Sequence, residues 1–309
     1  MSKKVALIFP GQGSQFVGMG KDFSENFSIA RDTFHEADER LNFSLSQLIF
    51  NGKDEELMLT KNSQVAIYVV SVAIWRVLKE QFPTFVPLAT AGLSLGEYTA
   101  LTASGKLLFE EGVKIVRARG LYMHEAALRH VGTMAVCLGI DSNVVRCVID
   151  SVEGVWIANL NCPDQVVISG TLEGIKRAAL LLKKNGAKRV LPINVSGAFH
   201  SELMADAKKK LQRKIATMKL YSTTIPIVMN VVGDFVEKEP EIRQHLIDQV
   251  ISPVYWERTI CKMAEVGVEM FVELGCGKTL RGMNHKIGVR GATLSIEAVE
   301  DLKKLVGMI

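Results

Sequence analysis

The segment 92–96, Gly-Leu-Ser-Leu-Gly, is the feature that most restricts the folds open to this chain. It follows the short apolar run 86–91 and precedes the helix-like run 97–101, so it lies where a strand turns into a helix. In such a turn the two glycines let the strand and helix backbones approach closely, and the serine hydroxyl is held clear at the N-terminus of the helix. The segment therefore predicts an α/β fold in which Ser94 is a nucleophile.

Strands and helices alternate around this turn, as expected for a parallel sheet, with a strand at 5–9 and a helix at 64–79. From residue 132 the pattern changes to the order β-α-β-β-α-β, which is the ferredoxin-like arrangement. Its predicted elements are 133–138, 142–152, 155–159, 165–169, 172–185 and 188–192.

The α/β pattern then resumes, with predicted helices at 202–218 and 254–266 and predicted strands at 227–231 and 270–274. We therefore predict that residues 130–196 form a small domain. It is inserted into a large discontinuous domain made of residues 1–129 and 197–309.

Composition excludes several classes of protein. A chain of 309 residues with 48% hydrophobic content can bury a large core, and a net charge of +4 does not indicate nucleic-acid binding. The longest apolar run, 65–75, is too short to span a bilayer and predicts a buried helix. The N-terminus leads directly into the first strand, without the apolar region of a secretion signal. The five cysteines form no C-x-x-C pair, so we expect no disulfide framework or zinc site, and a reducing cytosol fits best.

Two other glycine-rich segments resemble nucleotide-binding loops but lack a required residue. The loop that begins at Gly11 has Phe16 where a dinucleotide fingerprint needs glycine, and segment 275–279 has Val272 where a phosphate loop needs its first glycine. The Gly11 loop nevertheless follows the first strand at its carboxyl end, where ligands of open α/β sheets bind. From glycine content alone, a simple turn and a ligand-binding loop both stay open.

A nucleophilic serine needs a base, usually histidine, and donors for the oxyanion formed on attack. His200 lies in a small-residue loop that returns the chain to the large domain, and a serine that precedes its histidine matches the α/β-hydrolase order. The other five histidines lie in polar stretches typical of solvated or capping residues. Asp206, Asp248 and a backbone carbonyl all stay open as the group that orients the imidazole.

Arg119 lies on a helical segment one element beyond the serine turn. Most helical arginines are solvated or paired at the surface. If Arg119 instead faces Ser94, it would bind a carboxylate bidentately and define an acyl group that ends in one. Arg117 lies on a different face of that helix and should not share this role.

Taken together, ordered motifs along nearly the whole chain resemble the malonyl-CoA:acyl carrier protein transacylases, a family that includes the acyltransferase domains of fatty acid and polyketide synthases. These motifs are F-P-G-Q-G-S-Q at 9–15, G-L-S-L-G-E-Y at 92–98, R-G at 119–120, N-L-N-C-P at 159–163, G-A-F-H at 197–200, Q at 249 with S-P-V at 252–254, and E-L-G-C-G-K at 273–278. The resemblance implies an α/β-hydrolase-like large domain with an inserted ferredoxin-like small domain.

The resemblance also implies roles for site residues. Ser94 would be the nucleophile and His200 the base, oriented by the main-chain carbonyl of Gln249, so that Asp248 becomes a minor alternative. The backbone N–H groups of Gln12 and Leu95 would form the oxyanion hole. Arg119 would hold the malonyl carboxylate, with Asn159 and Asn161 as supporting polar groups.

This chain departs from the family pattern at Leu93, where the family usually has histidine. Because the family's histidine at this position is not the catalytic base, we expect activity to survive its replacement by leucine. Segment 197–200, G-A-F-H, resembles the H-A-F-H version found in malonyl-selective domains more than the Y-A-S-H version found in methylmalonyl-selective ones, and its bulky residue is Phe199. It would crowd a 2-methyl group, although one methyl discriminates by only about 1 to 3 kcal/mol.

The activity implied is ping-pong transfer of malonyl from malonyl-CoA to the phosphopantetheine thiol of acyl carrier protein, for fatty acid biosynthesis in the cytoplasm. No metal or bound cofactor is expected. A basic set would offer an acidic carrier protein a positive face, although such a run is equally typical of a solvated helix face. Its members are Lys183, Lys184, Lys188, Arg189, Lys208, Lys209, Lys210 and Arg213. A serine hydrolase that uses water as acceptor and an inactive scaffold that docks carrier proteins are the two alternatives.

Overall fold

The computed structural model describes residues 3–309, which form thirteen α-helices, eleven β-strands and two 3-10 helices. The strands are β1 (Val5–Phe9), β2 (Ala89–Gly92), β3 (Gly132–Leu138), β4 (Val155–Cys162), β5 (Gln165–Thr171), β6 (Arg189–Ile193), β7 (Ile227–Met229), β8 (Asp234–Val236), β9 (Val254–Tyr255), β10 (Met270–Leu274) and β11 (Ala292–Ile296). The helices are α1 (Lys21–Asn26), α2 (Ser28–Leu41), α3 (Leu45–Asn51), α4 (Asp54–Met58), α5 (Thr60–Gln81), α6 (Gly96–Ala103), α7 (Phe109–Arg129), α8 (Ser142–Ile149), α9 (Leu172–Lys184), α10 (Ala205–Thr217), α11 (Glu239–Asp248), α12 (Trp256–Glu265) and α13 (Thr279–Ile287). The 3-10 helices are Glu202–Met204 and Val299–Leu305.

The larger sheet has the strand order β11-β10-β1-β2-β7-β8. Its neighbouring strands are parallel except for the antiparallel pair β7 and β8 at one edge. Because all parallel strands end at the same side, the segments after β1, β2 and β7 converge there. These segments begin at Pro10, Leu93 and Asn230.

Helices cover both faces of this sheet, and the side chains of β1 show how. Val5, Leu7 and Phe9 belong to one hydrophobic cluster, whereas Ala6 and Ile8 belong to the other, as the alternation of side chains along a strand requires. The first cluster contains the apolar side chains of α5 and α7, and the second contains those of α12 and α13. Burial on both faces explains why the central strands are continuous apolar runs.

The smaller sheet has the order β6-β3-β5-β4-β9. Strands β3 to β6 are antiparallel and, with α8 and α9, form the predicted β-α-β-β-α-β unit. Helices α8 and α9 pack on one face in a separate cluster. Met134, Ala158 and Val167 on the other face join the core of the larger unit, so the small sheet closes over the large one.

Several predicted elements extend over nearly the same residues as the observed ones, and the strand predicted at 270–274 matches β10. The helix predicted from residue 254 begins later, at Trp256, because Val254 and Tyr255 form strand β9 and pair in parallel with β4. One short strand of the small sheet therefore comes from outside residues 130–196. The division at residues 130 and 196 stays a prediction. Within residues 3–309, none of the helices is both long and apolar enough to cross a membrane.

Candidate active site

The backbone turns sharply between β2 and α6, and this turn exposes Ser94. Ser94 has a φ of 52°, in the left-handed region that non-glycine residues rarely adopt. A Cβ atom on Gly92 would lie 2.0 Å from the carbonyl carbon and oxygen of Gly96, and one on Gly96 would lie 2.2 Å from the backbone oxygen of Phe9. The glycines are therefore required by close backbone approach, as the sequence predicts for a nucleophile turn.

The Oγ of Ser94 lies 2.9 Å from Nε2 of His200, a residue separated from it by more than a hundred positions in the chain. His200 also has a left-handed backbone, with a φ of 59°. Two neighbouring strained residues that point at each other are typical of a reactive site. His200 is the one buried histidine of the six, all of which lie in the described residues.

The other nitrogen of the His200 ring, Nδ1, lies 2.8 Å from the backbone oxygen of Gln249 and 3.2 Å from that of Ser252. A carbonyl oxygen only accepts, so Nδ1 carries the proton and Nε2 is left as the acceptor that faces Ser94. Burial and the nearby Arg119 charge lower the pKa of His200 to about 4, although the two carbonyls oppose this shift. The imidazole is therefore neutral near pH 7, as a base must be.

Neither aspartate considered from the sequence lies beside His200. Asp206 contacts His130 and Arg129 at the surface, and Asp248 forms an ion pair with Lys208 at 2.7 Å. The position next to Nδ1 is occupied by backbone carbonyls, including that of Gln249.

Arg119 is 1% exposed on α7, and its guanidinium faces Ser94. Nη2 donates to Ser94 Oγ at 3.0 Å and to Gln249 Oε1 at 2.9 Å, and Nη1 donates to Gln64 Oε1 at 2.7 Å. In residues 3–309, no carboxylate oxygen lies within 4.0 Å of these nitrogens. Burial lowers the pKa of Arg119, but a guanidinium starts so high that it remains a cation.

Arg117, on the same helix, points elsewhere. It donates to the backbone oxygen of Lys61 and to Asn62 Oδ1, and its guanidinium lies 4.9 Å from the centroid of the Phe43 ring. The two arginines therefore face different surroundings.

A buried polar network supports these groups. Gln249 Nε2 donates to the backbone oxygen of Ser94 at 2.9 Å and to Glu97 Oε2 at 2.7 Å. Asn230 accepts from the Ser94 N–H at 2.7 Å and donates its own N–H to Glu97 Oε1 at 2.6 Å. Burial raises the pKa of Glu97 to about 8, against the lowering effects of Asn230, the Arg119 charge and Gln249. The network fixes the backbone of the nucleophile on one side and the guanidinium on the other.

The loop after β1 lies against the Ser94 turn. A Cβ atom on Gly11 would lie 2.6 Å from the backbone oxygen of Leu93, so only glycine fits there. The backbone N–H groups of Gln12 and Leu95 have no hydrogen-bond partner within residues 3–309. Two unpaired N–H groups next to a nucleophile are the components of an oxyanion hole.

A cleft of about 170 Å³ lies over Ser94, between the two sheets. Its polar lining includes Gln12, Gln64, Arg119, Asn159, Asn161 and His200, and its apolar lining includes Leu93, Met123, Met134, Val167, Phe199 and Met283. The Oδ1 atom of Asn161 is buried without a hydrogen-bond partner among residues 3–309.

A larger open hollow of about 870 Å³ lies beside α13 and is lined by neither Ser94 nor His200. No group of His, Cys, Asp and Glu side chains in residues 3–309 is arranged to hold a metal ion.

Three supporting residues were not predicted from the sequence: Gln64, Glu97 and Asn230. Asn230 follows β7 at its carboxyl end, and a polar residue at that place could have been noted. Gln64 is a fully buried amide at the start of an apolar helix, which also suggests a polar partner. Glu97 had no distinguishing signal, since a glutamate in the first turn of a helix is usually exposed.

The predicted basic set lies on α9, on α10, and at Lys188 and Arg189 where β6 begins, and part of it is already paired. Lys208 contacts Asp248 at 2.7 Å and Lys210 contacts Glu125 at 2.5 Å. Lys183, Lys184, Lys188 and Arg189 are exposed.

Comparison with known proteins was consistent across sequence and structure. The acyl transferase domain family matches residues 6–298. The malonyl CoA-acyl carrier protein transacylase of Bacillus subtilis is 45% identical over 304 residues, which cover 97% of this chain and 95% of that protein. The solved malonyl CoA-acyl carrier protein transacylase of Coxiella burnetii has a TM-score of 0.95 at 35% identity and covers 100% of this chain and 98% of its own. A malonyl-transacylase solved in complex with a type II PKS acyl-carrier protein has a TM-score of 0.94 at 35% identity, covering 98% of both chains. The predicted fold class, a large α/β domain with a small ferredoxin-like unit, is confirmed by these structures.

Proposed function

The chain belongs to the acyl transferase domain family, and from this membership and the geometry of the cleft we propose that it transfers malonyl from malonyl-CoA to acyl carrier protein. It is an S-malonyltransferase that supplies malonyl-carrier protein for fatty acid biosynthesis. The CoA thioester and the carrier's phosphopantetheine are its substrates.

The environment of Arg119 is the observation that favours malonyl as the acyl group. A cation that is 1% exposed and lacks a carboxylate within 4.0 Å among residues 3–309 is costly unless a ligand supplies the negative charge. This cation already donates to the nucleophile at 3.0 Å, so an acyl group on Ser94 that ends in a carboxylate would reach it. A bidentate contact would fix the acyl chain and favour malonyl over acetyl.

In the first half-reaction we assign Ser94 as the nucleophile and His200 as the base. Nε2 takes the hydroxyl proton while Oγ forms a bond to the thioester carbonyl carbon. The carbon–sulfur bond then breaks, and the proton on Nε2 passes to the departing CoA thiolate. The carbonyl of Gln249, 2.8 Å from Nδ1, keeps the required tautomer in place throughout.

In the second half-reaction the carrier's thiol gives its proton to His200 and attacks the ester carbonyl. The bond to Ser94 Oγ breaks, and Oγ recovers the proton from Nε2. Both tetrahedral intermediates place negative charge on the former carbonyl oxygen. We assign the N–H groups of Gln12 and Leu95 as its donors, and one such donor is typically worth about 10²- to 10³-fold in rate.

The lining of the cleft supports transfer to a thiol in preference to water. Met123, Met134, Val167 and Phe199 make its walls largely apolar, and the volume of about 170 Å³ leaves little room beside a bound acyl chain. We propose that Asn159 and Asn161 bind the amide groups of the pantetheine arm, since the Asn161 Oδ1 atom lacks a partner. Phe199 would restrict a 2-methyl substituent.

We further propose that the chain uses no bound cofactor or metal and works in the cytoplasm, where its five unpaired cysteines would stay reduced. The exposed Lys183, Lys184, Lys188 and Arg189 would attract an acidic carrier protein.

The test of this function follows the fate of the malonyl group. The chain is mixed with malonyl-CoA with and without holo carrier protein, and malonyl-carrier protein and free malonate are both measured by mass spectrometry. We expect malonyl-carrier protein as the main product, and its absence from reactions of Ser94→Ala. Free malonate as the only product would make the protein a serine hydrolase and would contradict the proposal.

A further inference from the structure

Ser14 and Cys276 form a hydrogen-bonded pair directly behind the loop after β1, and neither has a role in the mechanism above. Ser14 Oγ donates to the backbone oxygen of Gly11 at 2.8 Å and lies 3.2 Å from Cys276 Sγ. Since the hydroxyl has a single proton, which Gly11 accepts, the thiol must be the donor to Ser14. Cys276 is 1% exposed, so this thiol has no access to water as a competing partner.

The carbonyl of Gly11 and the N–H of Gln12 belong to the same peptide unit. In a trans peptide these two groups point in opposite directions, and the described residues contain no cis peptide. Gly11 and Gln12 line the cleft over Ser94, whereas Ser14 and Cys276 do not. A hydrogen bond that draws the carbonyl away from the cleft therefore turns the Gln12 N–H toward it.

The rest of the loop is held at other points. The Gly13 N–H donates to Gln15 Oε1 at 2.8 Å, and Gln12 Nε2 donates to Thr60 Oγ1 at 3.1 Å. These contacts fix the side chain of Gln12 and the next peptide. Among residues 3–309, the Ser14 hydroxyl is the one group hydrogen-bonded to the peptide unit that carries the Gln12 N–H.

We propose that Ser14 is a positioning residue for the oxyanion hole, and that the Cys276 thiol holds the Ser14 hydroxyl in the required rotamer. This inference rests on the proposed function, in which the Gln12 N–H stabilises the oxyanion. A hydrogen bond to the carbonyl also polarises the peptide, which makes its N–H a stronger donor. Ser14 thus acts on the transition state and leaves the binding of substrate unchanged.

The experiment compares single-turnover formation of malonyl-enzyme from malonyl-CoA in native chain, Ser14→Ala, Ser14→Thr and Cys276→Ala. The matched control is Ser71→Ala. Ser71 is a buried serine beside the same region, whereas Ser14 is partly buried. Among residues 3–309 the Ser71 Oγ has no hydrogen-bond partner, and it would lie 2.5 Å from a Cβ on Gly275. The inhibition constant of a short alkylboronic acid, whose tetrahedral adduct on serine mimics the oxyanion, is measured in parallel with thermal melting.

For Ser14→Ala we expect an acylation rate about 10- to 100-fold lower, which is less than the loss of a donor outright because the Gln12 N–H remains. The half-saturating concentration of malonyl-CoA should stay unchanged, and boronic acid affinity should fall by the same factor as the rate. Ser14→Thr should keep most of the native acylation rate, because threonine retains the hydroxyl. Cys276→Ala should lower the acylation rate by a smaller factor than Ser14→Ala. Ser71→Ala should have the acylation rate and boronic acid affinity of the native chain.

An acylation rate and boronic acid affinity in Ser14→Ala equal to those of native chain would overturn the positioning role. So would losses in Ser14→Ala that the Ser71→Ala control reproduces, because they would be structural. If the native chain itself forms no malonyl-enzyme, the proposed function fails before any variant is compared. The two failures are therefore distinct.

Discussion

Replacement of Arg119 by methionine tests the origin of acyl selectivity. Methionine keeps an unbranched apolar stem in the buried site but removes the charge and all N–H donors. In the native chain a malonyl carboxylate would accept two charge-assisted hydrogen bonds, each worth about 1.5 to 3 kcal/mol. Malonyl binding would replace existing hydrogen bonds of Arg119, however, because its Nη2 already donates to Ser94 at 3.0 Å and to Gln249 at 2.9 Å.

We therefore expect Arg119→Met to lose about 3 kcal/mol of transition-state stabilisation for malonyl transfer, the lower end of the sum for two such bonds. At about 1.4 kcal/mol for each factor of ten, this loss lowers kcat/KM for malonyl-CoA about 100-fold. Acetyl makes no such contact, so its kcat/KM should change by less than about threefold. Any displacement of Ser94 in the variant lowers both values together and cancels in their ratio. The malonyl to acetyl ratio of kcat/KM should thus fall about 100-fold.

The assay measures kcat/KM for malonyl-CoA and acetyl-CoA with the same holo carrier protein. Arg117→Met is the matched control, since Arg117 lies on the same helix but contacts Lys61, Asn62 and Phe43 away from the cleft. A malonyl to acetyl ratio unchanged in Arg119→Met would refute the carboxylate role. An equal fall of the ratio in Arg117→Met would show that the effect is not specific to the cleft.

Three further outcomes are expected. The kcat/KM for malonyl-CoA should fall as the pH drops through about 4, the pKa of His200, because the protonated imidazole is no longer a base. In Arg119→Met this fall should occur at a higher pH, because the charge that lowers the His200 pKa is gone. An acidic fall at the same pH in both proteins would contradict this coupling. Gly92→Ala should lower the free energy of unfolding by about 3 kcal/mol or more, because the new Cβ would lie 2.0 Å from the Gly96 backbone. The control Gly282→Ala, whose Cβ has no atom within 4 Å, should leave stability unchanged or raise it. Both are measured by denaturant titration. Asn161→Leu should raise KM for malonyl-CoA about tenfold with little change in kcat, and equal KM values would exclude a pantetheine contact.

The sequence predicted those parts of the fold that depend on local pattern. The strand at 270–274 and the β-α-β-β-α-β order of the small unit follow from periodicity and from glycine at the ends of elements. Strand β9 was missed because Val254 and Tyr255 are extended only by pairing with β4, about a hundred residues earlier. A contact of that kind leaves no local signal.

The site shows the same division. Ser94 was indicated by its flanking glycines, and His200 by a loop that returns to the large sheet. The contacts among Gln249, Glu97, Asn230 and Arg119 join residues that are far apart in the chain, so spacing could not reveal them. The choice between an aspartate and a carbonyl as the partner of His200 likewise needed the resemblance to a family.

Ser94 as the carrier of the malonyl group is tested most simply by the intact mass of the chain after brief exposure to malonyl-CoA. We predict a mass increase of one malonyl group on the native chain, no increase on Ser94→Ala, and loss of the adduct when holo carrier protein is added, with the malonyl group recovered on the carrier. A native chain that gains no mass, or an adduct that also forms on Ser94→Ala, would show that Ser94 does not carry the malonyl group.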